Sequence, residues 1–135
     1  MNQQSINAYV DIYIAQVSSE EKGWSPESML SKLMVYRGSF QDTKKVTGLE
    51  KYVDQVKKEH KKFRTINAAM KRLDHPVAIA ILAKRYLQGL NERTDRSYTN
   101  QDRAFYSGQK PRQFENNLAR AYKKLSELRE MREEV

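Results

Sequence analysis

Residues 104–125 constrain this chain most, because Ala104, Gly108, Phe114, Leu118, Ala121 and Leu125 fall at the spacings of a helix-turn-helix. A small residue at Ala104 lets two helices cross closely. Gly108 permits the left-handed backbone of a tight turn, and Phe114 and Leu118 return apolar surface to a core. From Phe114 the apolar positions run on through Leu118, Ala121, Leu125 and Leu128 in steps of four, three, four and three residues. That is one stripe of a helix sustained for about four turns. The polar residues between them are Lys110, Arg112, Gln113, Asn116, Asn117 and Arg120, with Glu115 the one acid among them. All six are of types that hydrogen-bond base edges or phosphates, so the pattern predicts a base-reading helix for double-stranded DNA. The plainer reading is a helical corner in a bundle with a solvated outer face. Such a face normally mixes in more glutamate, as the chain does further on, where Glu127, Glu130, Glu133 and Glu134 accompany Arg129 and Arg132. DNA contact is therefore expected to fade beyond Lys124.

The rest of the chain also reads as helices. Ile6, Tyr9, Val10, Tyr13, Ile14 and Val17 recur at helical spacing behind Ser5 as a cap. Ser25 and Pro26 open a second segment with Met29, Leu30, Leu33 and Met34, and Gly38 follows as a stop. A third helix, of about 25 residues, is expected from the capping box of Thr47 to Glu50, through Leu49, Tyr52, Val53, Val56, Phe63, Ile66, Met70 and Leu73. Its polar centre, Lys57 to Lys62, is a place for a break. Asp74 caps a helix with Pro76, Val77, Ala80, Ile81, Lys84 and Leu87 that ends at Gly89. Residues 90–98 are polar enough for an exposed loop, before a short helix capped by Ser97 or Thr99 that carries Arg103, Ala104, Phe105 and Tyr106. No alternating segment is long enough for a sheet. The expected fold is all-α, a multi-helix domain with a C-terminal helix-turn-helix, divided into an N-terminal helical region at 1–73 and the motif region at 74–135.

The 135 residues suffice for one modest core, and 25 Lys and Arg against 17 Asp and Glu favour a polyanionic partner. A second basic cluster, Lys57, Lys58, Lys61, Lys62, Arg64, Lys71 and Arg72, has Glu59 alone against it. It is either a solvated helix face or a set of phosphate contacts that gain affinity by counterion release. Arg103 and Tyr106, on the first helix of the motif, are placed for phosphate contact as well. Trp24 is expected to staple a helix entry or stack on a base, and Tyr36, Arg37 and Phe40 to form a core edge or a protein-contact patch. With no cysteine, disulfides and thiolate metal sites are excluded, which suits a reducing cytoplasm. His60 and His75 lie apart from any carboxylate cluster, so no metal is expected. No phosphate loop, nucleophile setting or paired-carboxylate motif is present, which argues against an enzyme and against a cofactor. No apolar run reaches membrane-span length, and the first residues lack a basic segment leading into an apolar one.

With Tyr86 to Gly89 closing one helix ahead of the 104–125 pattern, the part from Asp74 onward resembles sigma-factor region 4. A basic, all-helical chain of this size, with Ile66 to Leu73 leading into His75 to Leu82, resembles phage antitermination proteins of the Q type and the related ArpU/RinA-like late-gene regulators. The connection at 90–98 is longer than is usual in region 4, and Ser107 stands where an apolar residue is usual. The resemblance implies a late-gene transcription regulator that binds DNA and engages RNA polymerase or a sigma factor. The competing expectation is a small helical phage protein that docks on an acidic host protein, with RNA binding behind it because a stacking platform for single strands is lacking.

Overall fold

The apolar stripes at 6–17, 63–73, 77–87 and 114–125 are the buried sides of helices in the computed structural model, which describes residues 2–18, 25–39, 53–91 and 93–132. Helix α1 spans Gln3–Ser18. Its cap is Asn2 and not Ser5: Asn2 Oδ1 accepts the Ser5 N–H at 2.9 Å, the side-chain bond that relieves an orphan donor of the first turn. Helix α2 spans Pro26–Ser39, with Ser25 Oγ accepting the Ser28 N–H at 3.2 Å. Gly38 lies in its last described turn, one residue before Ser39; a lone glycine costs about 1 kcal/mol in a helix. Helix α3 runs unbroken over Val53–Met70, because the lysines and glutamate of its polar centre are good helix formers. It ends before Leu73 in a tightened turn, where Arg72 and Leu73 donate to the carbonyls three residues back. The capping box at 47–50, Leu49, Tyr52, Trp24 and Phe40 lie outside the described residues, as do the side chains of Tyr36, Arg37, Val53, Val56, Lys57, Lys58 and His60.

Helix α4, His75–Tyr86, is buried at every position from Val77 to Ala83. A helix apolar all round belongs inside a bundle, and α4 packs against α1, α2, α5 and α6. Asp74 has the extended backbone of an N-cap, but its carboxylate makes no capping bond, and the helix gives way at Leu87, before Gly89. Three polar ties set the helices around it. Arg85 Nε and Nη2 donate to the two Asp11 carboxylate oxygens at 2.9 and 2.8 Å, joining α4 to α1. Within the core the Tyr13 hydroxyl donates to the Leu33 carbonyl at 3.1 Å, and the Tyr122 hydroxyl donates to Asn7 Oδ1.

Instead of an open loop, residues 90–98 hold a two-stranded antiparallel hairpin, β1 (Leu90–Asn91) and β2 (Arg96–Ser97), with Leu90 opposite Ser97 and Asn91 opposite Arg96. Asn91 organises it: the buried side-chain oxygen accepts the Arg93 N–H and its carbonyl accepts those of Thr94 and Asp95. Asp95 takes the left-handed φ of 55°, which Asp tolerates better than most residues. Helices α5 (Asn100–Tyr106), α6 (Pro111–Glu127) and α7 (Arg129–Arg132) follow. The final helix is shorter than its apolar spacing predicts. Leu128 is extended, with φ −67° and ψ 137°, and the break turns α7 back onto α3 so that Met131 is fully buried. Buried side chains from Ile6 to Met131 form one cluster, so the described helices on either side of Asp74 share a core. The architecture is all-α and multi-helical, and among the described residues no helix is long and apolar enough to cross a membrane.

Candidate nucleic-acid interface

The segment with the helix-turn-helix spacing forms a seven-residue helix, a turn at 107–110 and the long helix α6. Of the two caps the sequence offered for α5, Thr99 is the one used. Its Oγ1 accepts the Asp102 N–H at 3.2 Å, and Asp102 Oδ2 accepts the Thr99 N–H at 3.0 Å, a complete capping box. At the other end Gly108 has φ +73°, its N–H bonds the Phe105 carbonyl, and the Gln109 N–H bonds that of Ala104. This pair of bonds is the Schellman closure of a helix. A Cβ at Gly108 would meet nothing within 4 Å, so glycine is needed there for its backbone and not for space. Ser107 solves its own polarity by donating Oγ–H toward the Arg103 and Ala104 carbonyls at 2.8 and 3.1 Å. Neighbouring Phe105 stays 70% exposed.

The rotation of α6 is set by its buried side. Phe114, Ala121 and Leu125 are fully buried and Leu118 is partly so. Residues 100° apart around a helix axis then place Arg112, Asn116, Ala119 and Lys123 on the opposite line, and all four are exposed. Arg120 is exposed beside them, and Lys110 is exposed at the helix start. The side chains of Arg112, Asn116, Arg120 and Lys123 make no hydrogen bond to another described residue. The two other amides of the expected set have structural work. Gln113 Oε1 accepts the Lys110 N–H at 3.2 Å, and half-buried Asn117 donates to Gln109 Oε1 at 3.2 Å, while Gln109 donates to the Pro76 carbonyl at 2.8 Å. That relay ties the start of α6 to the start of α4.

The expected phosphate contacts divide. Arg103 is half-buried, with Nε donating to the Leu87 carbonyl at 2.9 Å and Nη1 to Asn100 Oδ1 at 2.7 Å, so it ties α5 to the end of α4. Burial lowers its pKa, with Asp102 acting against that and Arg85 adding to it. Tyr106 is half-buried, edge-on to Tyr98 and Phe105, with the Arg93 guanidinium 5.9 Å above its ring. Lys61, Lys62 and Arg64 are exposed on α3. At the far end of that helix Arg72 meets the C-terminal half of α6 across a cleft of about 270 Å³, lined also by Leu73, Asp74, Val77, Arg120, Lys123, Lys124 and Glu127. The sequence reading gave no contact to Ala119 or Lys123. The four-three-four spacing from Arg112 carries both, and a helical-wheel projection anchored on Phe114 finds them. Comparison with protein-family models, curated proteins and solved structures yields no match to this chain.

Proposed function

We propose that the protein is a sequence-specific binder of double-stranded DNA in which α6 enters the major groove. The observation that carries this is the outward side of α6, where the side chains of Arg112, Asn116 and Arg120 are exposed without a hydrogen bond among the described residues and Ala119 between them leaves room for close approach. Between Lys110 and Lys124 that helix carries five cations, Lys110, Arg112, Arg120, Lys123 and Lys124, against the single carboxylate of Glu115. Arg reads guanine and Asn reads adenine through paired hydrogen bonds, and a small apolar side chain tolerates a thymine methyl. Lys61, Lys62 and Arg64, exposed on α3, supply sequence-independent attraction to phosphate. The resemblance to region 4 and to Q-type and ArpU/RinA-like regulators extends the proposal to late-gene antitermination with RNA polymerase or a sigma factor as the protein partner. A second reading, docking on another protein, has exposed Phe105 and Leu90 in its favour.

Selection of bound sites from a randomised duplex pool tests the first reading. An enriched motif is expected, and Arg112→Ala or Asn116→Ala should weaken binding to it by about 1 to 3 kcal/mol while relaxing one base position each. A pool that emerges without an enriched motif, or an enriched site that both variants bind as the parent does, removes α6 from the groove.

A further inference from the structure

We infer that the cleft between the α3–α4 turn and the C-terminal half of α6 seats the sugar-phosphate backbone bordering the groove that α6 reads. This rests on the duplex-binding reading above and extends the contact to a second element. Four cations line the cleft, Arg72 from one wall and Arg120, Lys123 and Lys124 from the other, against the carboxylates of Asp74 and Glu127. That excess of positive charge favours an anionic occupant. Its apolar floor, Leu73 and Val77, is 4% and 8% exposed, too little for the hydrophobic anchors of an amphipathic acidic helix. A phosphodiester strand needs charge and hydrogen-bond donors and no apolar floor.

The dimensions agree with that occupant. From Asn116 to Lys124 the helix rises about 12 Å at 1.5 Å per residue, and the major groove is about 12 Å wide. A helix reading bases near Asn116 thus carries Arg120, Lys123 and Lys124 to the groove edge, where the backbone passes. Arg72 then meets that strand from its other side. The DNA contact does not stop at a base-reading N-terminal half of α6, and the α3–α4 turn becomes part of the recognition surface. Glu127, at the end of the cleft, acts as a brake on affinity.

The test is the salt dependence of binding of the full chain to a fluorescein-labelled duplex of mixed sequence, followed by anisotropy. Arg72→Ala with Lys124→Ala is expected to lower the slope of log K against log salt by about two, because each lost phosphate contact removes about 0.9. Near 0.1 M salt that is a loss of about one to two orders of magnitude, with the selected base preference unchanged. Lys124→Ala alone, at an exposed side chain, should give half the slope change with an unaltered melting temperature, and Glu127→Gln should tighten binding. Slopes and affinities unchanged in all three variants, while Arg112→Ala still weakens the selected site, overturn the cleft and leave the α6 reading standing. A parent protein that does not bind duplex overturns both. Poly-glutamate bound by the parent and lost in the cleft variants, with no duplex binding, assigns the cleft to an acidic polypeptide and overturns the inference.

Discussion

Tyr122 joins α6 to α1 through its hydroxyl on Asn7, and its half-buried position has a consequence in alkali. Burial raises the phenol above its ordinary pKa; the Arg85 charge and the Asn7 hydrogen bond pull the other way, and Asp11 adds to the rise. Burial alone raises Tyr86. The unfolded chain releases phenol protons near pH 10 while the folded chain still holds these two. Their contribution to stability is therefore complete below about pH 10 and is lost as pH rises through the folded values. Lys84 behaves oppositely: burial, then Arg103 and Arg85, lower its pKa, so the cost of its charge is relieved as pH climbs toward the ordinary lysine value. Comparing melting temperatures of the parent and Tyr122→Phe above about pH 10 isolates the phenol; the parent should lose more stability with rising pH, and parallel curves would contradict the assignment. At this scale the sequence was legible where backbone chemistry rules, as at Gly108 and Thr99. It was illegible where a partner comes from far along the chain. Nothing near Asn67 in the sequence marks it as a buried amide whose Oδ1 finds no partner among the described residues.

Apolar spacing predicts helices well here because each one buries a stripe, and the same spacing misplaces their ends. Leu128 continues the stripe of α6 in the sequence, and leucine, arginine and glutamate around it all favour helix. The chain nevertheless breaks there, since turning back lets Met131 reach the core beside α3. Met131→Ala is expected to cost about 2 to 5 kcal/mol in denaturant unfolding, the range for emptying a buried methionine site. A cost near zero would mean that α7 is not docked. The hairpin at 90–98 was missed for a related reason. Its residues are polar, and only the enclosure of Asn91, with three backbone N–H groups turned onto it, makes an ordered turn of them.

At the scale of the molecule, α4 is the organising element, apolar on all sides and covered by α1 and α2 from the N-terminal region and by α5 and α6 from the C-terminal one. A fragment of residues 74–135 would expose the α4 surface that α1 and α2 cover and lose the Arg85 to Asp11 pair. It should show little cooperative unfolding by circular dichroism, whereas the full chain should melt in one transition. A fragment that melts like the parent would make the C-terminal region an independent unit. The sequence by itself determined the helical character of the chain, the apolar stripes that become its core, the glycine turn at Gly108 and the cationic composition of α6, because periodicity, capping and backbone freedom are local properties. Tertiary structure alone decided which polar side chains of the candidate face remain available. It engaged Asn117, through Gln109, and Arg103 with α4, left the side chains of Arg112, Asn116 and Arg120 exposed without a hydrogen bond among the described residues, and brought Arg72 to Lys123 and Lys124 across a cleft. Hydrogen-bond partners and shared charge depend on which helices meet, and that is settled only when the common core forms.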